Sequence, residues 1–172
     1  IALPMSVGTA SVCEVLDFSV ESGCDDLGSL PARLNACLPE GVRVFEAYES
    51  DRKIRELRRL RARVTLTYDA GAPIGARDRI AALFSREEII VLKKKKKEGF
   101  VPENIRPMIV SMDVTQPDRT HIALEAVVCA LEPSLNPEYL LRAMENELPD
   151  LKPDGTAICR LEVYDEDLNV FR

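Results

Sequence analysis

Tryptophan is absent from the chain, histidine occurs once, as His121, and the aromatic residues make up only 5% of the sequence. Reading of single-stranded RNA by base stacking needs exposed aromatics on strands, and none of the expected strands carries such a pattern. The single histidine leaves no His-rich metal set. A Cys–His nucleophilic pair would have to recruit His121, which opens the alternating segment His121-Ile122-Ala123-Leu124 and reads as a strand-edge residue. Long apolar runs are also missing: stretches such as Ala126 to Leu131 fall well short of the roughly 20 residues that span a bilayer. No membrane association is expected, and no basic-plus-apolar leader opens the chain.

The five cysteines, Cys13, Cys24, Cys37, Cys129 and Cys159, are odd in number and irregularly spaced. They form neither a disulfide framework nor a CxxC metal knuckle, which points to a reducing compartment and a cytoplasmic setting. Cys37, Cys129 and Cys159 sit among apolar neighbours and are expected to pack as small hydrophobes. The CxxxCxxC run that holds the iron–sulfur cluster of a radical enzyme is absent, so this chain is not expected to be a radical catalyst. No cofactor and no metal site is expected. Acidic groups such as Asp25-Asp26, Glu87-Glu88 and Asp165-Glu166-Asp167 have no His or Cys at ligand spacing and read as solvated turns.

What is present is a recurring pattern of strand, capped helix, strand. In its first copy, Val15 to Val20 reads as a strand, and Ser29 precedes a helix with Pro31 in its first turn. Leu30, Leu34, Cys37 and Leu38 form that helix's stripe. Pro39-Glu40-Gly41 ends it, and Val42 to Tyr48 alternates as a strand. The last copy places a strand over Ile122 to Leu131 and an Asn136-Pro137 helix start. Its stripe is Leu140, Leu141, Met144 and Leu148, and its closing strand runs from Ile158 to Tyr164. Between them lie a strand from Ala62 to Tyr68, a helix from Pro73 to Phe84, and strands from Glu88 to Leu92 and from Pro107 to Val114. A hairpin turn is expected over Thr115 to Arg119.

From Ala62 to Tyr164 the order βαβ, hairpin, αβ approaches the split βαβ arrangement of ferredoxin-like domains with one strand added. The fold class is therefore α+β, a ferredoxin-like sandwich of repeated βαβ units in two halves, the first incomplete. The expected organisation is a partial half over residues 1–50, a basic connector over 51–61 and a ferredoxin-like half over 62–172. Because Ile1-Ala2-Leu3-Pro4 reads as part of a strand, the chain is expected to be a fragment.

The net charge of −6 argues against indiscriminate nucleic-acid binding, yet twelve of the 23 basic residues crowd into two windows. One holds Arg52, Lys53, Arg55, Arg58, Arg59, Arg61 and Arg63; the other is Lys93, Lys94, Lys95, Lys96 and Lys97. If they converge, they form a positive surface able to follow an RNA backbone; otherwise they are a solvated connector and a charged loop. Arg106, held extended by Pro107, can offer a planar fork to a phosphate or carboxylate, or make a structural salt bridge. Ser6 to Ser11 is rich in small hydroxyl residues but lacks a P-loop ending, and reads as a turn entering a strand.

Several short segments appear in a telling order: Pro4-Met5-Ser6-Val7-Gly8, then Ser11, Glu14 and Asp17, then Leu38-Pro39-Glu40-Gly41, and later Ile105-Arg106-Pro107-Met108-Ile109. Over nearly its whole length the chain resembles the bacterial radical-SAM-linked proteins, domains fused to or encoded beside a radical S-adenosylmethionine enzyme. The resemblance implies a bacterial cytoplasmic accessory domain with a radical SAM protein as its partner, and brings no assigned active site. The family's Ser-His-Leu-Asp and Gly-Phe-x-Pro-His-Pro type motifs do not occur here, and Asn104 stands where an Asp usually precedes Ile-Arg-Pro. The leading functional expectation is a non-catalytic accessory or substrate-presenting domain that holds RNA or another anionic substrate. The alternatives are a protein-docking module and an enzyme whose active site lies in a missing N-terminal segment.

Overall fold

The computed structural model describes residues 2–19, 26–95 and 99–172. Among these residues seven strands and three α-helices follow one another as β1 (Thr9–Ser11), α1 (Leu30–Asn35), β2 (Arg59–Thr67), α2 (Ala76–Phe84), β3 (Ile90–Lys95), β4 (Gly99–Asn104), β5 (Ile109–Thr115), β6 (His121–Cys129), α3 (Glu138–Glu147) and β7 (Gly155–Tyr164). Five strands form one sheet in the order β1-β7-β2-β6-β5, and β3 and β4 form a separate two-stranded ribbon. The strand β2 is antiparallel to both β6 and β7, and β5 is antiparallel to β6. Without the ribbon, β2-α2-β5-β6-α3-β7 is the split βαβ order, with the parallel pair β2 and β5 separated by β6.

This architecture follows from period-two alternation in the central strands. Leu60, Ala62, Val64 and Leu66 of β2 and Ile122, Leu124, Ala126 and Val128 of β6 are all buried on one face. Against that face pack Ile80, Leu83 and Phe84 of α2 and Leu140, Ala143 and Met144 of α3, in a single core. Each fully buried leucine or isoleucine here contributes about 1.5–3 kcal/mol relative to exposure. Asn136 caps α3 as expected, its Oδ1 accepting the Glu138 N–H at 3.1 Å. The Tyr68 hydroxyl donates to the Leu151 carbonyl at 2.9 Å, tying the end of β2 to the turn after α3. Among the described residues no helix is long and apolar enough to cross a membrane.

Three expectations need correction. The strand that closes the βαβ unit after α2 is β5; the segment expected from Glu88 to Leu92 leaves the sheet and pairs with β4, which the sequence reading missed. In the N-terminal part, the described residues 15–19 and Val42 to Tyr48 run outside any ladder, and β1 alone joins the sheet, parallel to β7. The helix α1 stops at Asn35, whose amide exchanges hydrogen bonds with the Val44 backbone at 2.8 and 2.9 Å. Ser29 does not cap it with its side chain, and Cys37 is exposed. Cys129 is buried as expected and Cys159 partly so, while Cys24 and Asp25 lie outside the described residues.

Arg160, 6% exposed on β7, fastens the first residues to this frame. Its guanidinium donates to the Leu3 carbonyl and Glu14 Oε1, both at 3.1 Å, and to the Pro4 carbonyl at 2.7 Å. Glu14 is partly exposed, so removing the guanidinium chiefly strands the Leu3 and Pro4 carbonyls, and Arg160→Ala should lower stability by about 2 kcal/mol in urea denaturation. The loss should be accompanied by loss of amide protection at Ala2, which donates to Val15.

At the β5–β6 turn, the Asp118 carboxyl accepts from the His121 ring and from the Thr120 hydroxyl and N–H, which hold its pKa down at about 2. A depressed carboxyl stabilises the fold above its ordinary pKa of 3.8 and loses that contribution as pH falls toward 2. Thermal melts from pH 5 to pH 2 should therefore drop less steeply for Asp118→Asn than for the wild type in that acid window.

Candidate functional site

The alternation that buries one side of β2 turns Arg59, Arg61 and Arg63 onto the opposite, open face of the sheet. Across the ladder Arg63 stands opposite Glu125 of β6, which receives both neighbours. Arg61 Nε donates to Glu125 Oε1 at 2.7 Å, and Arg63 donates to Oε2 through Nη2 at 2.8 Å and Nε at 3.2 Å. Arg59 pairs with Glu166 and donates to Cys129 Sγ at 3.4 Å, and Arg58 Nε lies 3.7 Å from Glu166. Arg52 pairs with Asp165 at 3.0 Å and stacks on the Phe171 ring at 4.6 Å. The expected positive surface is thus an arginine ladder threaded with carboxylates, and those carboxylates offset most of its charge.

The second window divides. Lys93 faces inward, half-buried, its Nζ donating to Glu103 and to the Ser134 carbonyl, each at 3.0 Å. It fastens the ribbon to the segment before α3. Lys94 is exposed on the other face. Lys95 ends β3, its side chain outside the described residues, and Lys96 and Lys97 lie outside them altogether. No hydrogen bond or ion pair among the described residues joins the lysine window to the arginine ladder.

The ribbon's register opposes Ile90 to Asn104, Leu92 to Pro102 and Lys94 to Phe100. Its outer face carries Ile90, Leu92, Phe100 and Pro102, all exposed, while Val91 on the inner face is buried. The sequence reading saw the lysines but not this apolar face, because β4 contains Pro102, Glu103 and Asn104 and has little strand propensity.

Arg106 lies in a single 3-10 turn between β4 and β5, not in the extended backbone expected ahead of Pro107. It pairs with no carboxylate among the described residues; Nη1 donates to the Ile109 carbonyl at 2.9 Å. Together with Arg77 of α2 it lines a cavity of about 350 Å³ between α2 and β5. Arg77 was not singled out from the sequence, where one arginine on a helix carries no signal. Asn104 accepts the N–H groups of Ile89 and Arg106 on one oxygen, each at 3.0 Å. An aspartate would accept both equally, so Asp at this position would keep the same local turn.

Ser6 to Ser11 is a turn entering β1, with Gly8 at a φ of 84° and Thr9 N–H donating to the Ser6 carbonyl at 3.2 Å. Asp165 accepts the Asp167 and Asn169 N–H groups in a local turn. Among the described residues no group of three or more His, Cys, Asp or Glu side chains is arranged to hold a metal ion.

Arg63 and Arg61 hold the Glu125 carboxyl below its ordinary pKa, so it stays ionised and stabilises the ladder down to acid pH. Glu125→Gln removes the shared charge and leaves two guanidiniums side by side. The pairs are partly exposed, so the cost should be about 1 kcal/mol by chemical denaturation, shrinking in high salt.

Neither a curated protein nor a solved structure matches this chain. A family described as an uncharacterized protein conserved in bacteria, DUF2344, matches residues 1–137, a span that contains both basic windows, the ribbon and Arg106. The chain belongs to this DUF2344 family of bacterial proteins.

Proposed function

We propose that this chain is a non-catalytic accessory or substrate-presenting domain that works docked on a partner protein, with the β3–β4 ribbon as its docking element. The observation that carries this reading is the ribbon's uncovered apolar face, on which Leu92 is 54% and Phe100 62% exposed. A two-stranded ribbon is marginal by itself in water, and contiguous exposed apolar surface is what protein partners cover. The resemblance to radical-SAM-linked proteins supports a radical SAM enzyme as that partner. The chain lacks a CxxxCxxC run of its own, which agrees with the cluster chemistry residing in the partner. A cytoplasmic setting fits the odd, irregular cysteines, of which Cys13, Cys37, Cys129 and Cys159 are free thiols.

Binding of RNA or another anionic substrate through the basic windows is the second reading. Exposed Lys94 and the lysine run favour it. The arginine ladder contributes less, since a phosphate backbone would have to displace Glu125 and Glu166 from guanidiniums they already hold.

Both readings are tested on one preparation. Calorimetric titration of the radical SAM enzyme with the Leu92→Asp, Phe100→Asp double variant should show affinity reduced by about tenfold or more with an unchanged melting temperature. Wild-type affinity in that variant would overturn ribbon docking. In a parallel salt series with total bacterial RNA, binding that falls steeply with salt and disappears on charge reversal of the lysine window would put the RNA reading in front.

A further inference from the structure

We infer that the cavity between α2 and β5 is a binding site for a small amphipathic oxyanion, a carboxylate or phosphate monoester carried on an apolar body. Its cationic wall is made by Arg106 and Arg77, from elements that flank β5 in the fold. Each guanidinium is oriented by a carbonyl of the same strand: Arg106 Nη1 by Ile109 at 2.9 Å and Arg77 Nε by Val114 at 3.1 Å. Arg77 Nη1 also meets Asp78 at 2.7 Å. Among the described residues the other N–H groups of Arg106 have no partner, and a fork held by one edge and open on the other suits a planar or tetrahedral oxyanion.

The rest of the lining decides the ligand class. Ala81, Phe84 and Met112 supply apolar wall, while Ser111 and Asp113 border it through the edge of β5, their side chains lying with Val127 and Glu125 on the open face of the sheet. A volume of about 350 Å³ lies at the small end of metabolite pockets, roughly 300–1,000 Å³. It suits one small molecule rather than a polynucleotide. The site is built on α2 and β5, so the inference does not rest on docking at the ribbon.

The bland reading is that the two arginines merely cover edge carbonyls, and that reading gives no ligand dependence. Phenyl phosphate and inorganic phosphate are titrated into the full chain while amide chemical shifts are followed. Saturable shifts over Ser111 to Val114, tighter for phenyl phosphate, are expected. Arg106→Gln should weaken phenyl phosphate by about tenfold or more, as expected for the loss of a charge-assisted fork. Arg77→Gln, which removes the second guanidinium of the wall, should weaken it as well. No saturable response from the wild type to either probe, or equal affinity in wild type and Arg106→Gln, would overturn the site. If Arg106→Gln does not fold, Arg77→Gln decides, and wild-type affinity in that variant overturns it.

Discussion

Everything in this molecule depends on the strict two-residue alternation of β2. It is the central strand, with β6 on one side and β7 on the other. Leu60, Ala62, Val64 and Leu66 face the helices and build the core, which forces Arg59, Arg61 and Arg63 onto the open face. A slip of one residue would bury three guanidiniums and expose the core, a penalty far larger than any surface ion pair could offset. The arginine cluster is therefore first a consequence of register. Its carboxylate partners on β6 and after β7 make it tolerable.

The sequence was most legible where local pattern and tertiary role coincide. The strands β2, β6 and β7, the hairpin turn and both long helices follow from apolar spacing and from the Asn136-Pro137 start. Legibility failed where the answer depended on a distant partner. Val42 to Tyr48 alternates as a strand should, but the Asn35 side chain takes up the Val44 backbone groups, and no strand among the described residues pairs with it. The carboxylate that Arg61 and Arg63 share lies on β6, across the hairpin and α2, so no window of sequence could reveal it. Lys93 looked like a member of a solvated run and is instead a half-buried anchor.

The candidate site was read in part. Arg106 was noticed because proline fixes the backbone beside it, and both open readings for it rested on a charged partner. The structure gives it a backbone carbonyl instead, leaving the guanidinium unneutralised among the described residues. Arg77, which completes the cavity, became visible only once α2 was laid along β5.

The ends of the sheet have a consequence for how copies of this protein meet. At one side, three-residue β1 shields part of β7; at the other, guanidiniums sit over carbonyls of β5, and the pairing is interrupted between Ile109 and Ser111. Strand-by-strand growth of the kind that leads to fibrils has no long, regular template at either side. On the ribbon, the apolar surface is interrupted by Lys94, a charge that discourages indiscriminate stacking while leaving the hydrophobic residues available to a complementary surface.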